Sequence, residues 1–383
     1  MNILFVSDCY PSVESPQYCI FLEQQAIALK NLSHKVEVLV PQTSIKNKST
    51  ETFHGIKVTR IPITKPSKID MFFKTSENPL LFTEYFKNFD VVSFHFGNLK
   101  ILRAVIRACK KTNTKLVMHF HGLNVWHELY EPHKFLSAII RHYKKQAYSK
   151  LDAVVGVSDK VRQNFSEVNK NVPAFTVYNG VDTELFKASD HIFTENNLSM
   201  ICSANMIDIK GEDYLIKAAA ALIKKGYSIN LSLAGRGPNK EKYENLCRTL
   251  KINDYVNFLG YLHYDELAKI TAEKDVFIMP SYYEALGCVY LEAMSAGLIT
   301  VGVKGQGIDE IIVPGENGFL VDPKSVESIE KTLESIYKMS DAEKQRISKN
   351  ARASAKNYTW KASALALENV YKEIFKGEKH VGL

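Results

Sequence analysis

Residues 275–297 read DVFIMPSYYEALGCVYLEAMSAG. The run 275–280 is apolar and of strand type, and 289–295 is apolar around most of a helical wheel. A short loop containing Gly287 joins them. Strand, loop and helix in that order form one βα unit of a buried parallel sheet. Glu284 leaves the strand on the loop, and Glu292 sits about one turn into the helix. Backbone amides near Gly287 point out of the helix N-terminus, where the dipole favours an anion such as phosphate. Carboxylates on either side can accept hydrogen bonds from sugar hydroxyls. A phosphate with a sugar on each side is a sugar nucleotide. The spacing E-x7-E alone recurs by chance. Its place after a strand, around a glycine, gives it weight.

Outward from this unit, the same logic repeats in both directions. In the first half, apolar strands are expected at 3–7, 35–40, 91–94, 116–119 and 153–157, with helices at 21–32 and 99–111. In the second half, strands at 199–203, 229–234, 256–259, 276–279 and 300–303 alternate with helices at 212–225, 240–250, 265–273 and 290–296. Further elements are expected at 309–312 and 325–339. These are two Rossmann-like αβα domains, 1–186 and 187–359, joined near the turn Asn179-Gly180, with the polar stretch 187–197 extending the linker. A last helix, about 360–375, fits either domain by its pattern alone. Sheets of this kind bind ligands at the C-terminal ends of their strands. The expected site therefore lies in a cleft between the two domains.

Bulk composition narrows the class. The chain has 383 residues, 45% hydrophobic and 24% charged, which suits two soluble domains. No run reaches the ~18 apolar residues of a membrane span. The opening, MNILFVSDCYPS, has a buried-strand pattern rather than the basic region and cleavage site of a signal peptide. Six scattered cysteines without CxxC spacing read as reduced thiols of a cytoplasmic protein. No His/Cys/Asp cluster shows metal-ligand spacing, so no metal is expected.

Several stretches together resemble the retaining glycosyltransferases of family 4, which have the two-domain GT-B fold. They are KGEDYLIKA (210–218), LAGRGP (233–238), VNFLGYL (256–262), the opening stretch 275–297, and GIDEIIVPGENGFLVDP (307–323). The interdomain NGVDTELF (179–186), the first-half YPSVESPQYCIFLEQQAIAL (10–29), HGLNVW (121–126) and LDAVVGVSDKV (151–161) follow in the family's order. The resemblance implies two domains facing each other across a cleft. Glu284 then resembles the residue that holds donor-sugar hydroxyls, Glu292 the ribose ligand and Lys210 the cation on the donor phosphates. His121 resembles the histidine beside the transferred sugar. Gly235, Arg236, Gly260 and Tyr261 match the walls of the base pocket. Amides of Leu286, Gly287, Cys288 and Val289 match the cradle of the distal phosphate. The family usually works without a metal.

The chain departs from the family pattern twice. Where many members carry an arginine five residues before the lysine, this chain has Asn205, a neutral donor. The first loop, Ser15-Pro16-Gln17-Tyr18-Cys19, lacks the usual glycine pair. The implied reaction moves one sugar, with retention, from a nucleotide-diphosphate donor, UDP favoured, to a glycan or lipid-linked glycan. Capsule, exopolysaccharide and teichuronic-type polymers fit. The phosphate would leave on the acceptor's face and help deprotonate it, because no second carboxylate pair stands where a glycosyl-enzyme needs one. Alternatives on the same fold are a sugar-nucleotide epimerase and an inactive partner subunit.

Charge is uneven. Residues 1–190 hold 25 Lys/Arg against 17 Asp/Glu, while 191–383 hold 24 against 25. Lys100, Arg103, Arg107, Lys110 and Lys111 fall on one helix face, and no acid occurs from 91 to 127. Lys134, Arg141, Lys144 and Lys145 do the same on the next helix. Two ordinary amphipathic helices explain this as well as docking on an anionic inner-membrane surface does. No aromatic platforms punctuate the stripes, which argues against nucleic acid.

Overall fold

A computed structural model describes residues 1–64, 77–123, 134–188, 193 and 197–376, with backbone only for 134–139. The chain divides into two compact units, Met1–Asn179 with the segment from Trp360, and Gly180–Thr359.

Unit 1 runs β1 (Asn2–Ser7), α1 (Ile20–Asn31), β2 (Lys35–Gln42), β3 (Ser49–Phe53), β4 (Ile56–Pro62), α2 (Leu80–Phe86), β5 (Val91–Phe96), α3 (Leu99–Thr112), β6 (Lys115–Phe120), α4 (Lys134–Tyr148), β7 (Ala153–Gly156), α5 (Asp159–Ser166) and β8 (Ala174–Thr176). The strand order is β3-β4-β2-β1-β5-β6-β7-β8. All pairings are parallel except β3 with β4. That pair turns at His54 and Gly55, with φ of 45° and 79°. Positive φ at both turn residues matches the twist of a two-residue hairpin. The central strands are apolar on both faces because helices cover both. The chain leaves β1 towards β2 on one side and returns to β5 on the other, so the switch point lies between β1 and β5.

Unit 2 runs β9 (Leu198–Ser203), a short helical turn (Asp208–Lys210), α6 (Glu212–Lys224), β10 (Ile229–Ala234), α7 (Lys240–Leu250), β11 (Val256–Gly260), α8 (Tyr264–Thr271), β12 (Val276–Ile278), α9 (Cys288–Ala296), β13 (Ile299–Val303), a turn (Gly307–Glu310), β14 (Phe319–Val321), α10 (Val326–Tyr337) and α11 (Asp341–Ala355). Its all-parallel sheet has the order β11-β10-β9-β12-β13-β14. The switch point is between β9 and β12. Among the described residues, no helix is long and apolar enough to cross a membrane.

The last helix, α12 (Trp360–Lys376), belongs to unit 1. It packs along α1, and its Leu367 and Tyr371 enter the core with Leu22 and Ala26. The boundary also differs from the expected 186, falling between Asn179 and Gly180. The strip that follows is bound to unit 2: Val181 donates its amide to Tyr358 O at 2.8 Å. The Phe186 ring meets Tyr264 at 5.0 Å, and the Phe186 carbonyl accepts from Ser295 Oγ at 2.7 Å. The element expected at 309–312 is only the turn Gly307–Glu310.

Trp360 packs in the core of unit 1, so its fluorescence reports on that unit. Leu367→Ala removes a fully buried side chain from the α12 contact. It is expected to cost about 2–5 kcal/mol and to lower the urea midpoint followed by tryptophan fluorescence. An unchanged midpoint would show that α12 does not hold unit 1 together.

Candidate active site

The loops that follow β9 and β12 meet at the switch point of unit 2. Lys210 closes the helical turn after β9, and Gly211 follows with φ of 76°. A Cβ at Gly211 would stand 2.4 Å from the Pro280 carbonyl oxygen, so only glycine lets the two loops touch here. The contact brings Lys210 Nζ to 2.5 Å from Glu284 Oε2, with both side chains mostly buried. Glu284 is also fixed through its backbone. Its amide donates to Gln306 Oε1 at 2.9 Å, and its carbonyl accepts from Gly307 N at 3.1 Å.

Three residues on, Gly287 turns the chain into α9 with φ of 77°, and no side chain caps the helix. The first turn carries no acid, and Gly287, Cys288 and Val289 are half-buried while Leu286 is buried. The helix N-terminus thus combines a positive dipole end, no competing carboxylate in its first turn and a lysine nearby. Glu292, one turn further, is buried and accepts from Tyr264 OH at 2.9 Å. Burial pushes its carboxyl up to about 7, against the opposing pull of the tyrosine hydrogen bond.

The other residues that the resemblance assigns to the donor lie at or beyond the ends of β9, β10 and β11. Gly235 N donates to Gly260 O at 2.7 Å, and Met206 N donates to Arg236 O at 2.9 Å, tying the three loops together. The Arg236 guanidinium lies 4.7 Å from the Tyr261 ring centre, and both side chains are exposed. Asn205 is exposed on the loop that carries Lys210. Tyr264, Gln306 and Glu212 had no assigned role in the sequence reading. Glu212 opens α6 as a buried carboxyl that accepts from Tyr243 OH at 3.3 Å, and burial pushes it up to about 7. Gln306 sits one residue before the GIDEII stretch, which carried part of the family resemblance but no assigned role.

In unit 1, His121 follows β6 and lines a cavity of about 340 Å3 with Gly97, Asn98, Gly122 and Lys144. The fold brings His95 and His119 beside it, with nitrogens of all three within 4.8 Å of one another. Sequence spacing did not reveal this cluster. Those nitrogens already bond one another and Ser93. The glycine-free first loop is closed by mutual Ser12–Ser15 backbone bonds, and Cys19 takes the left-handed conformation, with φ of 57°. Asn124, Val125 and Trp126 of the HGLNVW motif lie outside the described residues.

The basic stripes need correction. Lys100 is turned inward, 2.7 Å from Thr64 Oγ1 and 3.5 Å from Glu77. Arg103 lies over the Tyr143 ring at 5.2 Å, bridging α3 and α4. Lys144 is half-buried at the cavity. Arg107, Lys110, Lys111, Arg141 and Lys145 are exposed, and the Lys134 side chain lies outside the described residues.

Glu292 gives unit 2 a defined pH response. Its pKa is raised from 4.5 to about 7 on folding, so between those values the folded chain holds a proton that the unfolded chain releases. The stability this group lends at low pH is lost as pH rises through 7. Glu292→Gln lacks that loss. Its stability relative to the parent is expected to rise between pH 5 and pH 8 by on the order of 2 kcal/mol, measured by chemical unfolding. The opposite trend would contradict a carboxyl held near neutrality.

Comparison with known proteins converges on this architecture. Residues 20–185 match the family described as Glycosyltransferase Family 4, and residues 185–354 match Glycosyl transferases group 1. An uncharacterized glycosyltransferase of Methanocaldococcus jannaschii is 36% identical over 165 residues, 43% of this chain and 42% of that protein. That match spans less than two thirds of the relative's length. Among solved structures, a sucrose-phosphate synthase of Thermosynechococcus elongatus superimposes with a TM-score of 0.75 at 19% identity, covering 98% of this chain and 100% of that one. HepE of Anabaena, in complex with UDP-glucose, gives 0.73 at 19% identity, covering 97% and 100%. The chain belongs to the family 4/group 1 glycosyltransferases, with the GT-B type of two-domain α/β fold.

Proposed function

We propose that this protein transfers one sugar, with retained configuration, from a nucleotide-diphosphate donor to a glycan or lipid-linked glycan. The observation that carries the reading is the Lys210–Glu284 pair beside the uncapped N-terminus of α9, at the switch point of unit 2. An incoming diphosphate competes with Glu284 for Lys210. The lysine then turns to phosphate and the released carboxylate to hydroxyls of the sugar. Helix amides, Lys210 and the neutral Asn205 take the charge that grows on the leaving diphosphate. Glu292, near neutrality and braced by Tyr264, suits a ribose hydroxyl, because it can accept or donate. The Arg236–Tyr261 stack suits one wall for the base. Unit 1 is assigned to the acceptor, with His121 as its contribution to the transferred sugar. UDP is the favoured nucleotide, since the related HepE structure holds UDP-glucose.

The test is nucleotide release from a panel of UDP- and GDP-sugars, with and without glycan acceptors. Glu284→Ala is expected to abolish transfer while folding persists. Lys210→Ala is expected to lower kcat by about 100- to 1,000-fold. Unchanged transfer by Glu284→Ala would overturn the assignment. Nucleotide release with a rearranged sugar and no acceptor product would favour an epimerase.

The exposed Arg107, Lys110, Lys111, Arg141 and Lys145 favour a further element of the proposal, docking on the anionic cytoplasmic face of a membrane. Each exposed cation contributes up to ~1 kcal/mol near such a surface. The protein should co-sediment with anionic but not neutral vesicles, and a variant with Arg107, Arg141 and Lys145 changed to Glu should stay in solution. Equal behaviour on both vesicle types would remove the membrane from the proposal.

A further inference from the structure

β5 and β6 lie side by side with Ser93 opposite Val117. Residues two apart on a strand share a face, which places Ser93 and His95 beside His119 and His121. Their side chains form a continuous hydrogen-bonded chain. Tyr371, on α12, donates to Ser93 Oγ at 2.9 Å. Ser93 Oγ lies 3.0 Å from His95 Nε2 and 2.8 Å from His119 Nε2. His95 Nδ1 lies 3.0 Å from His121 Nε2. His121 Nδ1, at the far end, is buried without a partner.

The valences of these groups can be counted. A serine hydroxyl donates once and accepts twice. With Tyr371 filling one acceptor place, one imidazole donates to Ser93 and the other receives its hydrogen. Burial holds all three histidines far below their ordinary pKa, so each is neutral and carries one N–H. Two arrangements satisfy the chain. In the first, His95 donates from Nε2, its bare Nδ1 accepts from His121 Nε2, and His121 Nδ1 is a lone pair. In the second, every role reverses and His121 Nδ1 carries a hydrogen. The first arrangement puts the His119 hydrogen on Nδ1 and the second puts the His121 hydrogen on Nδ1, neither with a hydrogen-bond partner among the described residues. His121 Nδ1 is the enclosed one of the two, and an enclosed N–H without an acceptor is the costlier orphan, which selects the first.

We propose that Ser93 and His95 are positioning residues that hold His121 in the Nε2–H tautomer. Its Nδ1, on a residue that lines the cavity, is then left bare as an acceptor for a ligand hydroxyl. The proposal rests on the reading of His121 as a residue of the transfer site. The rival use of the cluster, a metal centre, is disfavoured by ring geometry. Four of the six ring nitrogens are already bonded within the chain, to Ser93 and between His95 and His121, and the rings lie within 25° of parallel, which does not suit a tetrahedral ligand set.

The tautomer is read by long-range proton–nitrogen correlation on histidine-labelled protein, with His121 assigned through His121→Asn. The parent is expected to show a protonated Nε2 and an unprotonated Nδ1 on His121. His95→Phe keeps a ring against Phe5 but removes the partner of His121, and Ser93→Ala removes the partner of His95. Both should turn the His121 pattern into a mixture of tautomers and lower kcat by about ten- to a hundred-fold with the donor KM unchanged. Ser93→Thr, which keeps the hydroxyl, should retain the parent pattern. If His95→Phe fails to fold, Ser93→Ala carries the test. A protonated Nδ1 in the parent, or a parent pattern in Ser93→Ala, overturns the proposal. The expected pattern without transfer from any donor upholds the hydrogen-bonded chain and overturns only the transfer reading.

Discussion

The approach of Gly211 to the Pro280 carbonyl is the constraint on which the candidate site depends. Two loops that leave neighbouring parallel strands diverge unless something pins them, since their helices depart to opposite faces of the sheet. Here the pin is the absence of a side chain. It sets Lys210 against Glu284, and Glu284 is held from its other side by Gln306 and Gly307. Four segments, after β9, β12 and β13 and at the start of α9, therefore share one fixed point at the end of the sheet. The site is rigid because its charged groups are held by backbone contacts as well as by each other.

Electrostatics distinguishes the two carboxylates that frame α9. Glu284 is paired with a lysine, whereas Glu292 is buried against the Tyr264 hydroxyl and is pushed towards neutrality. Environment assigns them different chemistry, one a carboxylate held by a lysine and the other a group that can both accept and donate. Glu212, buried beneath the same sheet edge with Tyr243, repeats the second pattern.

The βα unit at 275–297 was legible because its apolar period changes from strand to helix around one glycine. Gly235 and Gly260 could be placed at strand ends, and Lys210 and Glu284 on the loops after β9 and β12, because each comes after an apolar strand run. Other features depend on contacts that local sequence does not carry. The β3–β4 hairpin turns on His-Gly, a weaker turn signal than Asn-Gly. Helix α11 has one large aliphatic residue, Ile347, and was missed, although its capping box from Ser340 to Glu343 was readable. The domain boundary was set by polar composition, but Phe186 packs by contacts more than seventy residues away, at Tyr264 and Ser295. Periodicity grouped Lys100 with the exposed cations because it cannot see Glu77. The register that puts His95 beside His119 and His121 is likewise a property of strand pairing, not of spacing.

Helix α12 has a consequence for the life of the chain on the ribosome. The core of unit 1 holds residues of its first strand and helix but is closed by Leu367 and Tyr371, which are made after the whole of unit 2. All of Gly180–Thr359 emerges before that helix does. Unit 2 has its own complete sheet and can fold while unit 1 still shows the apolar face of α1 and β1. Of the two units, the one begun first is thus the last to be finished, and a chain released before α12 would carry a closed unit 2 attached to an open unit 1. The serine at the centre of the histidine chain would gain its tyrosine partner only once α12 has been made.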